Sequence, residues 1–91
     1  MEGKDYLMEF YGEECPHCEK MKPLVEQLER ELDITVAKYE VWHNDTNREM
    51  MTKLDVERCD GVPFFYNTRS KRSICGEAEY ADLLAWASAE Q

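Results

Sequence analysis

The four residues Cys15-Pro16-His17-Cys18 constrain this chain more than any other stretch, because they join an apolar run, Tyr6 to Tyr11, to an amphipathic segment, Met21 to Leu32. A strand that feeds a helix sets the first cysteine at the helix N-terminus. Unpaired backbone N–H groups and the positive end of the macrodipole favour a thiolate there, which makes Cys15 the candidate nucleophile. Cys18 lies three positions on, on the same face of the first turn, and its sulfur reaches Cys15 without backbone movement. It is the candidate resolving thiol.

Ninety-one residues, 43% of them apolar, make one domain over residues 1–91, whose modest core needs no disulfide staples at this size. The net charge of -9, from 20 acidic against 11 basic side chains, repels nucleic-acid phosphates and anionic lipid, so neither is an expected partner. Residues 1–8 carry Glu2, Lys4 and Asp5 without an apolar stretch of signal-peptide length, and no run is long enough to cross a membrane. Four cysteines can frame a secreted scaffold, but two of these share one C-x-x-C pair and no export signal is present. The expectation is a cytoplasmic protein in a reducing compartment, with an organelle left open if a targeting peptide has been removed.

Tyr6 to Tyr11 has the look of a central strand, ended by Gly12 and the pair Glu13-Glu14, with Glu9 as the one charge inside it. Met21, Leu24, Val25, Leu28 and Leu32 then form one apolar stripe of a helix, with a kink expected at Pro23. Ile34 to Trp42 reads as a second strand. Asn44-Asp45-Thr46 with Glu49 supplies capping chemistry for a helix burying Met50, Met51 and Leu54 and ending before Cys59. Val62 to Tyr66 and Arg72 to Cys75 make a hairpin around Asn67 to Lys71, and Glu79 to Ala89 a third amphipathic helix with Trp86 beside its stripe. The order β-α-β-α-β-β-α implies an α/β fold: a four-stranded mixed sheet, a right-handed parallel crossover first, and helices on both faces.

On these residues the chain resembles the thioredoxin family over nearly its whole length, in the minimal, glutaredoxin-sized form that lacks an extra N-terminal strand and helix. The resemblance is carried by C-P-H-C after a strand, by Pro23 five residues beyond Cys18, and by Gly61-Val62-Pro63 before the hairpin, where the family carries a cis-proline. It implies a minimal thioredoxin fold and a protein disulfide oxidoreductase working through Cys15, Pro16, His17 and Cys18, with no metal or organic cofactor. Gly61, Val62 and Pro63 then form the substrate-facing loop, the Val62 backbone being free to pair with an extended chain. The implied partners are protein disulfides or dithiols and a reductase or other electron donor, met by a monomer. Glu9 occupies the place of the family's buried acid, and Thr35 to Lys38 is similar to the strand that sets a lysine near it. Two departures stand out: Glu14 replaces the tryptophan that usually precedes the first cysteine, and the segment from Lys38 to Pro63 is longer. Pro16-His17 resembles the dipeptide of strongly oxidising periplasmic enzymes, but Glu13, Glu14 and the overall acidity oppose a thiolate, so the expectation is a redox potential between those enzymes and a reducing thioredoxin.

Other readings of the same residues stay open. Cys15 and Cys18 are also half of a zinc site, completed by Cys59 and Cys75 or by His17 or His43, or ligands of an iron-sulfur cluster between subunits. The sixteen-residue gap between Cys59 and Cys75 argues against a second metal-binding pair, and those two read either as small buried residues or as thiols with a second redox role. A glutathione-dependent glutaredoxin is the rival enzyme, disfavoured by acidity beside the dithiol. Glu9 is either a desolvated proton carrier for Cys18 or an edge-facing glutamate, and Lys38 either its cross-strand partner or a solvated lysine.

Overall fold

The strand β1, Leu7–Tyr11, runs through the middle of a four-stranded sheet of order β2-β1-β3-β4. It pairs in parallel with β2, Ala37–Glu40, and antiparallel with β3, Phe64–Asn67, which in turn pairs antiparallel with β4, Ser73–Cys75. Three helices complete the order: α1, Pro16–Leu32; α2, Asp45–Leu54; and α3, Tyr80–Ser88. The structure is a computed structural model that describes residues 6–89. Residues 1–5, which include the Glu2, Lys4 and Asp5 of the leader reading, lie outside the described residues. Among the described residues no helix is long and apolar enough to cross a membrane.

Strand periodicity divides the core in two. Leu7 and Phe65 join Met21, Val25, Leu28, Leu83 and Trp86 on the face covered by α1 and α3, while Met8, Phe10 and Phe64 join Val41 and Met51 under α2. Phe65 meets Trp86 edge-on at 5.4 Å between ring centroids, and burying one such ring contributes about 2 to 3 kcal/mol. Asn67 ties the hairpin to α3: its fully buried amide donates to Trp86 O at 2.8 Å while its Oδ1 accepts from Arg69 and Ser70 N–H. This is the α/β arrangement, with a four-stranded mixed sheet, expected from the element order.

Several boundaries differ from the sequence reading, and at both ends of β2 a glutamate side chain competes with the ladder for backbone groups. β2 begins three residues after Ile34, since Val36 N–H donates to the Glu29 carboxylate at 2.8 Å and Ile34 N–H to Glu29 O at 3.1 Å. It ends at Glu40, whose own carboxylate takes Trp42 and His43 N–H at 3.2 and 2.8 Å. β3 starts at Phe64 because Pro63 has no N–H to give. Pro23 lies inside α1, which is continuous across it. The helix α2 begins as its capping residues imply, with Asn44 Oδ1 accepting from Asn47 N–H at 2.9 Å.

Cys59 and Cys75 are joined in a disulfide, Cα–Cα 5.6 Å, so their reading as separate small buried residues is corrected. Hairpin register explains it. Cys75 stands opposite Phe64 in the β3/β4 pair, which brings it beside the chain that enters β3 from Cys59. Joined to each other, these two thiols are also removed as ligands that would complete a zinc site with Cys15 and Cys18.

Candidate active site

Cys15 is the N-cap of α1, in extended backbone at φ -84° and ψ 114°, and Pro16 takes the first helical position, where its missing N–H costs nothing. The cap bond is made by sulfur: Cys18 N–H donates to Cys15 Sγ at 3.2 Å. Cys15 N–H in turn donates to Gly12 O at 3.1 Å, closing the turn that joins β1 to α1. Both cysteines are free thiols and buried, at 2% and 3% exposure. Opposite them the Val62-Pro63 bond is cis, and Cys15 Sγ lies 3.8 Å from the Val62 carbonyl oxygen. Among the described residues nothing accepts a hydrogen bond from Val62 N–H.

Burial pushes the Cys18 thiol up to about 12, with the hydrogen bond to Cys15 acting in the same direction and the Gly12 backbone against it. Glu9, on the same sheet face as Leu7, is buried and pushed up to about 7, chiefly by burial and against the pull of the Lys38 charge. A cavity of about 280 Å³ runs between these two groups, bounded also by Tyr11, Lys22, Val25 and Lys38. The wet, edge-facing alternative for Glu9 is thereby set aside. Lys38 stands directly across the β1/β2 ladder from Glu9, but its ammonium is bound to Glu29 at 2.9 Å and to Val36 O at 3.1 Å. Direct pairing of Lys38 with Glu9 is therefore corrected: Lys38 acts on Glu9 only through its charge.

Several groups around the dithiol carry no signal in the linear pattern. His17 Nδ1 is bound to the Glu77 carboxylate, sixty residues on, and this bond holds Glu77 below the usual carboxylate range. Glu14 holds His43 with both oxygens at 2.9 Å, which raises the imidazole. Glu13, Glu40 and His43 lie close enough for a metal, but Glu40 already accepts Glu13, Trp42 and His43 N–H, so its carboxylate organises the loop. The Trp42 ring lies against Gly12 so closely that no Cβ fits between them. That contact covers the turn in front of Cys15.

The site is thus a buried dithiol capping a helix, opposite a cis X-Pro carbonyl and above a buried acid, and the sequence that builds it is matched by a family model. The Thioredoxin model covers residues 1–89. This chain belongs to the thioredoxin family. It is also similar to a protein disulfide-isomerase of Hordeum vulgare, at 37% identity over 68 residues, which is 70% of this chain and 12% of the relative. Family membership and that likeness support thiol-disulfide oxidoreductase chemistry in general terms. Within a thioredoxin domain, Trp42 on Gly12 and Glu14 on His43 occupy the rim where the sequence departs from the family's usual tryptophan.

Proposed function

We propose that the protein exchanges its Cys15-Cys18 dithiol with protein disulfides, the attack being made by Cys15. One observation carries this reading: Cys15 Sγ sits at the N-terminus of α1, accepts the Cys18 N–H, and faces the carbonyl of Val62, whose N–H has no partner among the described residues. The Cys15 thiolate attacks one substrate sulfur, the substrate S–S bond breaks, and the departing thiolate takes a proton from solvent. Cys18 then gives its proton to the Glu9 carboxylate across the cavity and attacks Cys15 Sγ, releasing the second substrate sulfur as a thiolate that takes a proton from solvent. The substrate gains two electrons and the protein is left with a Cys15-Cys18 disulfide, which a reductase or other dithiol donor returns to the reduced form. Run backwards, the same steps oxidise a substrate dithiol.

An extended substrate segment adds to the open edge at Val62, with Gly61 and Pro63 on either side, in the manner of strand addition. No metal or organic cofactor takes part. The exposed Cys59–Cys75 disulfide weighs against the reducing, cytoplasmic compartment expected from sequence, since such bonds persist where thiols are not held reduced. The test is trapping. Cys18→Ser accumulates mixed disulfides on Cys15 and Cys15→Ser accumulates none; equal trapping by both variants rejects the assigned order of attack.

A further inference from the structure

The Cys59–Cys75 disulfide lies at the base of two segments that touch the N-terminal end of the dithiol helix. On one side, Cys59 Sγ is 3.7 Å from Gly61 O, and the next residue, Val62, places its carbonyl at Cys15 Sγ. On the other side, Cys75 is followed by Gly76, whose N–H donates to Pro63 O at 2.8 Å, and by Glu77, which holds His17. The segment before Val62 is held by packing of Cys59 and Val62 against the core under α2, by Arg58 N–H donating to Asp55 O at 3.1 Å, and by the disulfide. Arg58 and Asp60, on either side of Cys59, both have left-handed backbone, φ 61° and 57°, an arrangement uncommon for residues other than glycine, asparagine and aspartate and here costly at Arg58. The Asp55 carboxylate also restrains this segment, accepting Cys59 N–H at 2.7 Å and Asp60 N–H at 2.8 Å.

We propose that Cys59–Cys75 is a second redox-sensitive site, one that positions the substrate-facing wall of the first: intact, it holds Val62 and Glu77 against α1, and reduced, it releases them. This rests on the disulfide-exchange reading above. Cys75 is exposed and Cys59 half-buried, so a dithiol reaches the bond from solvent. One thiolate of that dithiol attacks a sulfur of the pair, its second thiol displaces the mixed disulfide, and two electrons and two protons pass to Cys59 and Cys75 as the reductant becomes a disulfide. Loop 55–63 then samples arrangements in which Val62 no longer faces Cys15. Apparent substrate affinity falls by the fraction of time the competent arrangement is lost, whereas chemistry at Cys15 in the bound complex changes little.

Two measurements test this. In a Cys15→Ser/Cys18→Ser chain dithiothreitol acts on the second pair alone, and amide hydrogen exchange at Gly76, the donor to Pro63 O, is expected to quicken about tenfold on reduction. Unchanged exchange with the pair shown reduced by mass spectrometry overturns the proposal. In a chain with the first pair intact, Cys59→Ala/Cys75→Ala is expected to raise KM for a peptide disulfide by about three- to tenfold with kcat changed less than twofold. Glu77→Gln, which keeps the bond and loosens only the His17 side, is expected to give a smaller rise. A loss confined to kcat, or to thermal stability with KM unchanged, overturns positioning. A wild-type chain with no disulfide-exchange activity at all sinks the reading of the first pair instead, while the amide exchange result still decides the second.

Discussion

Glu9 and Cys18 face one cavity beneath the dithiol, and burial pushes both up, the acid to about 7 and the thiol to about 12. The pair is suited to passing a proton near neutral pH, because the Glu9 carboxylate is half-ionised where the thiol is fully protonated. The same burial has a cost to folding.

That cost has a defined pH window. The native state holds a proton on Glu9 up to about 7, whereas the unfolded chain releases it near the ordinary value of 4.5, so stability falls as pH rises between the two. Integrated over that window the loss is about 3 kcal/mol. Glu9→Gln is therefore expected to leave stability at pH 4 nearly unchanged and to raise it by up to about 3 kcal/mol at pH 8, while slowing the step in which Cys18 resolves a mixed disulfide. Urea unfolding at both pH values and single-turnover release measure the two effects. A Glu9→Gln chain with the wild-type slope of stability against pH removes Glu9 from this role.

The His17 imidazole stands in the first turn of α1, tied to Glu77, where positive charge favours the ionised form of the dithiol. Stabilising the reduced, ionised state makes the disulfide the better oxidant. His17→Gly is expected to make the Cys15-Cys18 pair more reducing by about 15 to 30 mV, which is about 0.7 to 1.4 kcal/mol, and to slow alkylation of Cys15 by iodoacetamide. Equilibration against a glutathione buffer reads the potential. An unchanged value removes His17 from this role.

Patterns that recur at fixed spacing were legible in the chain, and contacts between distant side chains were not. The apolar run of β1 and the stripe Met21 to Leu32 placed the dithiol at a strand-to-helix junction, because an unbroken apolar run and a period of 3.6 report burial directly. The ends of β2 were obscured because Glu29 and Glu40 are ordinary surface glutamates in sequence and backbone acceptors in the fold. His17 with Glu77, and Lys38 with Glu29 instead of Glu9, depend on which of several carboxylates the fold brings near, and 20 acidic residues offer no way to choose. The Cys59–Cys75 bond was within reach, since pairing the two hairpin strands brings Cys75 beside Phe64, five residues after Cys59.

Gly12 lets the Trp42 ring lie on the backbone in front of Cys15, and a methyl group there overlaps the ring. Gly12→Ala is expected to lose about 1 to 3 kcal/mol of stability and to move Trp42 off the turn, since a packed ring cannot absorb the added carbon without shifting. Thermal unfolding and tryptophan fluorescence read the two together, with Trp42→Ala/Gly12→Ala restoring part of the lost stability. Failure of the double variant to do so places the strain elsewhere in the turn.

The charges around the dithiol bear on its electron donor. Glu13, Glu14, Glu19 and Glu77 are exposed beside it, and the nearby lysines are engaged, Lys22 with Glu19 at 3.1 Å and Lys20 with Glu77 at 4.0 Å. Glutathione carries net negative charge, so its approach is opposed, whereas a donor that presents basic residues is drawn in. Poor turnover with glutathione as sole donor is therefore expected, rising about two- to fivefold between 0.02 and 0.2 M salt as the repulsion is screened. Glu13→Lys, which leaves the backbone N–H bond to Glu40 available, is expected to raise glutathione turnover and flatten its salt dependence. Brisk wild-type turnover that is indifferent to salt shows instead that glutathione binds clear of these carboxylates, and places the protein with the glutathione-dependent members of its fold.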